Sequence, residues 1–174
     1  MKKNKSFIAA LMLGTIVMLS SCSKYDENPM LAIGSKTGRL TGEWKLSEMK
    51  SVETESNGSE TTTYDGSMMT TIVIDNGTSA TSTYAYSETI TIVKDGTYTT
   101  KYTSGTMSGE MTEYWSWVDG ASSKERILLN GTVYDIVKLT GKELVLAQNS
   151  SSTMSFGTST SISKEETTIT YTKE

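Results

Sequence analysis

Asn76-Gly77, Asp95-Gly96, Asp119-Gly120 and Asn130-Gly131 punctuate the middle of this chain, and between them apolar residues recur at every second position. An Asn-Gly or Asp-Gly pair accepts positive φ at both central residues of a tight turn, the geometry that joins two twisted antiparallel strands without splaying them. A period of two sets one side of each segment against a core and the other in water. Ile90 and Ile92 share such a face, as do Tyr98 and Tyr102 beyond the Asp95-Gly96 turn. Trp115 with Trp117, Ile127 with Leu129, Tyr134 with Ile136, Leu144 with Leu146 and Ile169 with Tyr171 continue the series. The opposite faces carry mostly Thr, Ser, Lys and Glu. This is the pattern of an antiparallel sheet with one buried face.

Composition agrees: Thr occurs 29 times and Ser 25 times in 174 residues, a balance of strand formers and turn formers. Strands are expected over Gly42–Val52, Thr61–Tyr64, Met69–Ile74, Ser82–Tyr86, Thr89–Lys94, Thr97–Thr103, Met111–Val118, Arg126–Leu129, Val133–Leu139, Glu143–Gln148, Thr153–Ser163 and Thr167–Thr172. The Ser/Thr-rich stretch Ser150 to Ser163 reads as a long hairpin tip or mobile edge. Helix is expected only as a single turn, near Pro29 to Ala32 or Ser122 to Glu125. The fold class is therefore all-β. Two architectures suit many short strands with regular turns: an antiparallel up-and-down barrel of about eight or more strands, or a two-sheet sandwich.

The absent residue types narrow the chemistry. The chain has no His and one Cys, Cys22, which excludes internal disulfides, Cys or His zinc sites and imidazole-dependent triads. No run of alternating acids forms a calcium loop, and the glycines belong to hairpins rather than to a phosphate loop. No cofactor or metal is expected. The carboxylates Glu43, Glu48, Asp65, Asp75, Asp95, Glu110, Glu113, Asp119 and Asp135 are scattered over turns and strand faces, and nothing supplies an activated nucleophile. Asp75, Asp95 and Asp119 read as turn formers, and Asp135 as a solvent-facing strand residue. The expectation is a protein that is not an enzyme. A formal charge of −4 argues against a nucleic-acid partner.

The N-terminus is an address. Lys2, Lys3 and Lys5 precede an apolar run of 13 residues, Phe7 to Leu19, followed by Ser20, Ser21 and Cys22. A spanning helix needs about 17–25 apolar residues, so the run fits a secretory signal rather than a membrane span. Leu19-Ser20-Ser21-Cys22 resembles the lipobox of bacterial lipoproteins, and the sole Cys stands where acylation requires it. The division expected is a lipoprotein signal peptide over residues 1–21, a flexible tether over 22–38 and a barrel domain over 39–174. Removal of residues 1–21 takes three Lys and no acid, which moves the net charge from −4 to −7. Such an acidic domain is held off an anionic membrane surface, leaving acyl chains on Cys22 as the membrane contact. Ser23-Lys24-Tyr25-Asp26-Glu27, directly behind the Cys, resembles the surface-export signal of Bacteroidetes lipoproteins. The expected location is the outer membrane, lipid-anchored; the export-signal resemblance implies display on the cell surface, and the alternative is that the same residues are a solvated linker.

Further on, Thr41-Gly42-Glu43-Trp44-Lys45-Leu46 opens the first strand with Gly-x-Trp. Glu113-Tyr114-Trp115-Ser116-Trp117, Ile127-Leu128-Leu129, and then Tyr134 through Leu146 with its Leu139-Thr140 and Glu143-Leu144 pairs follow in order. Gly-x-Trp resembles the first-strand signature of calycins, and the order resembles the small lipocalin-like lipoproteins of Bacteroidetes. The resemblance covers roughly Leu40 to Gln148. It implies a barrel whose floor is closed by Trp44. The Thr-Asp-Tyr loop and the late Arg that stacks on the floor Trp in lipocalins are missing, since the only arginines are Arg39 and Arg126.

The candidate pocket or core residues are Trp44, Leu46, Ile90, Ile92, Tyr98, Tyr102, Trp115, Trp117, Tyr134, Ile136, Leu144 and Leu146. Trp44, Trp115 and Trp117 at strand spacing read as core before they read as a sugar-stacking platform. The leading expectation is a non-enzymatic, monomeric, lipid-anchored barrel that binds a small apolar ligand. The alternative is a structural or adhesive module with a packed core, which presents loops and strand edges to proteins or glycans. Substitution Cys22→Ser is expected to release the protein from the membrane fraction. Unchanged partitioning of that variant would contradict lipidation.

Overall fold

The computed structural model describes residues 35–118, 125–156 and 159–174. The signal segment, Cys22, the Pro29 to Ala32 turn, the Asp119-Gly120 turn and Ser122 to Lys124 lie outside the described residues. One helical turn, α1 (Lys36–Leu40), precedes ten strands: β1 (Gly42–Glu55), β2 (Gly58–Tyr64), β3 (Met68–Asp75), β4 (Thr78–Ile92), β5 (Thr97–Ser104), β6 (Met107–Trp117), β7 (Arg126–Leu129), β8 (Thr132–Leu139), β9 (Glu143–Phe156) and β10 (Ser159–Lys173). Each strand pairs antiparallel with its neighbours in sequence, and β1 pairs with β10 to close a barrel. The architecture is the up-and-down barrel, not the sandwich.

The strand β1 changes partner halfway along. Its first residues pair with the end of β4, from Gly42↔Ile92 to Lys45↔Thr89. From Met49↔Tyr64 to Glu55↔Gly58 it pairs with β2. A bulge marks the change, because the register with β10 slips between Leu46 and Glu48, and the Ser47 hydroxyl donates to the Thr170 carbonyl at 3.0 Å. The upper half of β4 pairs instead with β3, from Met68↔Ala85 to Asp75↔Thr78. The β2–β3 hairpin is thus a wedge between β1 and β4. Its turn sits at the fork, where Asp65 Oδ1 accepts from the Ser67 and Met68 amides at 3.2 and 3.0 Å and the Tyr86 amide donates to the Ser67 carbonyl. Below the fork the perimeter lacks β2 and β3 and counts eight strands; above it the hairpin adds two. A barrel widens with strand number. The β7–β8 hairpin is short, so the wall dips at Leu129–Thr132.

The narrow end is packed solid. Leu40, Trp44, Ile127, Leu139 and Leu144 are wholly buried, with Leu46, Ile92, Ile136 and Trp115 nearly so. Ser35 caps α1 by accepting from the Gly38 amide, and Trp44 Nε1 donates to the Leu40 carbonyl at 2.7 Å, fastening the helical turn across the floor. Lys173 takes the place over Trp44 where the lipocalin resemblance implies an Arg. Its Nζ lies 4.8 Å from the ring centroid and donates to the Arg39 and Thr41 carbonyls. The helical turn takes in Lys36, Thr37 and Gly38, which the sequence placed in the tether.

Several expectations need correction. The segments Ser82–Tyr86 and Thr89–Lys94 are one strand, β4, whose continuity is interrupted in hydropathy by the inward-facing Glu88. The segment Thr153–Ser163 is not a single strand but spans the end of β9 and the start of β10, so that Ser150 to Ser163 forms the expected long hairpin tip, with Ser150 opposite Glu165 and Phe156 opposite Ser159. Asn76-Gly77 and Asn130-Gly131 both take positive φ at both residues, whereas at Asp95-Gly96 only the glycine does. There the Asp95 carboxylate accepts from the Thr97 amide and hydroxyl, and the loop is longer than a two-residue turn.

Threonine also serves the ladder directly: Thr62–Thr71 and Thr99–Thr112 join hydroxyls across strands at 3.0 Å. The outward positions of β1 and β10 include the charged Glu48, Lys50, Lys164 and Glu166. Every buried apolar residue among the described ones lies between Leu40 and Tyr171, so the chain from residue 23 onward carries the whole barrel. Substitution Trp44→Ala is expected to cost about 3–5 kcal/mol in chemical denaturation, because the floor has no freedom to collapse. A near-neutral variant would show that Trp44 does not close the barrel.

Candidate functional site

Glu88 stands one residue beyond the last β1–β4 pair, on the inward face of β4 between Tyr86 and Ile90. Both of its carboxylate oxygens accept tyrosine hydroxyls: Tyr86 from the same strand at 2.7 Å and Tyr171 from β10, also at 2.7 Å. Tyr171 reaches Glu88 because β10 and β4 flank β1 just below the fork. On the neighbouring wall Glu113 of β6 lies opposite Tyr98 of β5 and accepts its hydroxyl at 2.5 Å. These charge-assisted bonds are the short, strong kind. Tyr64 completes the ring from β2. It is 2% exposed and meets Tyr86 edge-on at 5.9 Å, and its hydroxyl has no hydrogen-bond partner among the described residues.

Of these groups Glu88, Glu113, Tyr98 and Tyr171 border a cavity of about 280 Å³ that opens beside the low β7–β8 hairpin. Ile90, Leu129, Leu146 and Ile169 supply its apolar wall, and Glu88, Glu113, Tyr98, Tyr134 and Tyr171 its polar one. The polar side is the larger of the two, and polar groups converging in a concavity beside an apolar wall can fix the orientation of a small molecule. Burial raises the pKa of Tyr86, Tyr98, Tyr134 and Tyr171; Glu88 charge adds to it at Tyr86 and Tyr171, the Glu113 bond at Tyr98, and Glu165 at Tyr134. Tyr64 is raised by burial and then by Asp65 and Glu88. The hydroxyls therefore hold their protons, and those of Tyr86, Tyr98 and Tyr171 donate them to the carboxylates. Among the described residues no group of three or more acidic or cysteine side chains is placed to hold a metal ion.

The twelve residues singled out by periodicity divide at the fork. Trp44, Leu46, Ile92, Trp115, Ile136 and Leu144 are buried in the floor, with Trp117 packed edge-on against Trp115 at 5.8 Å. Ile90, Tyr98, Tyr134 and Leu146 line the cavity. Tyr102 does neither: it is half-buried and lies over Gly109, where an added Cβ would fall 2.6 Å from its hydroxyl oxygen. Asp135 is exposed. Glu88, Tyr171, Tyr86 and Tyr64 were not among the candidates, and Glu113 was counted only as a scattered acid. A signal for both carboxylates was present, since Glu88 and Glu113 lie two residues before Ile90 and Trp115 on the same strand face.

Scans against protein-family models, curated proteins and solved structures find nothing that matches this chain.

The tyrosine ring predicts an alkaline limit. In the unfolded chain these hydroxyls lose their protons near pH 10, whereas in the folded one they keep them beyond it. The unfolded state then binds fewer protons, so stability is full below about pH 10 and falls as pH rises past it. Absorbance at 295 nm is expected to show Tyr64, Tyr86, Tyr98, Tyr134 and Tyr171 losing their protons only with unfolding. A single titration near pH 10 with the fold intact would contradict the ring.

Proposed function

We propose that this protein is a non-enzymatic binding protein of the bacterial cell envelope. It is held by acyl chains on Cys22 and carries one small ligand with an apolar body and a polar end in its barrel. The observation that supports this most is the cavity of about 280 Å³ at the fork, bounded on one side by aliphatic side chains and on the other by hydrogen-bonded carboxylates. A packed core fills its interior with side chains, whereas this recess is left to water or a ligand. The paired tyrosine hydroxyls favour binding over catalysis: they are protonated donors, not activated nucleophiles. The charged outward positions of β1 and β10 fit attachment by lipid, and Trp44 at the closed end fits a lipocalin-like lipoprotein.

One feature favours the interaction-module reading. Above the short β7–β8 hairpin, β6 pairs only with β5 over Met107–Thr112, and β9 only with β10 beyond Gln148. Such strand edges can add a partner strand. The two readings separate in one titration. The chain from residue 23 onward is expected to bind the neutral dye N-phenyl-1-naphthylamine saturably at one site, with energy transfer from the floor tryptophans at the same midpoint. Non-saturable, weak dye uptake would favour the module.

A further inference from the structure

We propose that the ligand is an amine, with a protonated ammonium group seated at Glu88 and Glu113 and an apolar body against Ile90, Leu146 and Ile169. This deepens the binding reading above and rests on it.

The lumen is acidic by construction. Seven acids stand on the inward register of the strands: Glu88 and Glu113 in the cavity, and Glu53, Glu55, Glu60, Asp75 and Glu165 above it towards the wide end. Four of these surround a second recess at the top, formed by Glu53, Glu55, Glu60 and Asp75. Lys45 and Lys50 of β1, Lys164 of β10 and Lys101 of β5 occupy outward positions. The inward lysine, Lys173, is at the floor and is held by two carbonyls below the cavity. No described cation therefore neutralises Glu88 or Glu113, whose donors are tyrosine hydroxyls. A concave wall of one sign focuses its field into the opening, so it attracts cations and repels carboxylate or phosphate ligands.

Two further features suit an ammonium. Tyr98, Tyr134 and Tyr171 line the cavity beside the carboxylates, and aromatic faces attract a desolvated cation in addition to the charge pair. The Tyr64 hydroxyl, next to Tyr86 and within the field of Glu88 but not itself on the cavity wall, is buried with no hydrogen-bond partner among the described residues, so the protein places no cation there either. A fatty acid would bring its carboxylate against two others, and a neutral apolar molecule would leave both charges without a counter-ion.

The test displaces bound N-phenyl-1-naphthylamine from the chain beginning at residue 23 with three probes of equal length: decylammonium, decanol and decanoate. Decylammonium is expected to act at a concentration about tenfold or more below decanol, with decanoate weakest, since a buried charge-assisted contact distinguishes them. Added salt should narrow that gap. Glu113→Gln keeps an acceptor for Tyr98 and is expected to reduce the preference for the amine several-fold, while its thermal midpoint shows that it has folded. Decanol or decanoate binding as well as decylammonium to the unaltered chain would overturn the proposal and leave the binding reading standing. Failure of the dye and all three probes to bind would remove both.

Discussion

The structure depends on the partner change of β1. A strand of this length cannot pair with β4 at one end and β2 at the other unless its backbone bends, and the bulge at Ser47 supplies that bend. Below it, direct β1–β4 pairing draws the walls together until side chains fill the interior. Above it, the β2–β3 hairpin forces them apart. A packed floor and a hollow mouth are two consequences of one backbone irregularity.

The fork also explains the polar chemistry in the lumen. Where two strands separate, side chains on their inner faces lose the neighbours that fill a narrow barrel. Glu88 occupies that position, and its carboxylate is acceptable there because Tyr86 and Tyr171 arrive from two directions to hydrogen-bond both oxygens. Tyr98 does the same for Glu113. Buried polar groups are costly when half satisfied and rigid when fully satisfied. The ring is satisfied except at Tyr64, the tyrosine contributed by the wedge itself. The floor is fastened differently, by Trp44 on the Leu40 carbonyl and Lys173 over the ring, so it resists opening from below while the mouth stays accessible.

Much of the barrel was legible in the sequence. Alternation placed Ile90, Ile92, Trp115, Leu144 and Leu146 inward, and Asn76-Gly77 and Asn130-Gly131 marked their turns, because strand faces and tight turns are set by local geometry. Three things were not legible. The helical turn α1 is too short to show a period, though Leu40 is wholly buried. Glu88 split one strand into two in the hydropathy pattern, since a carboxylate inside a barrel looks like a strand end until its partners are known. Tyr171 lies 83 residues away from it in sequence. The division of the inward residues into floor and cavity required the fork, and the fork is a long-range pairing that no window of sequence contains.

The central claim is that the barrel is closed below the fork and hollow above it, with the hollow built to receive a cation. A crystal structure of the chain from residue 23 with decylammonium tests this most directly. The account predicts β1 paired with β4 only up to Lys45↔Thr89, and the ammonium nitrogen within hydrogen-bond distance of Glu88 or Glu113. Its alkyl chain would run along Ile90 and Leu146. A barrel in which Tyr98 and Tyr134 fill the cavity, with the amine bound elsewhere or absent, would contradict it.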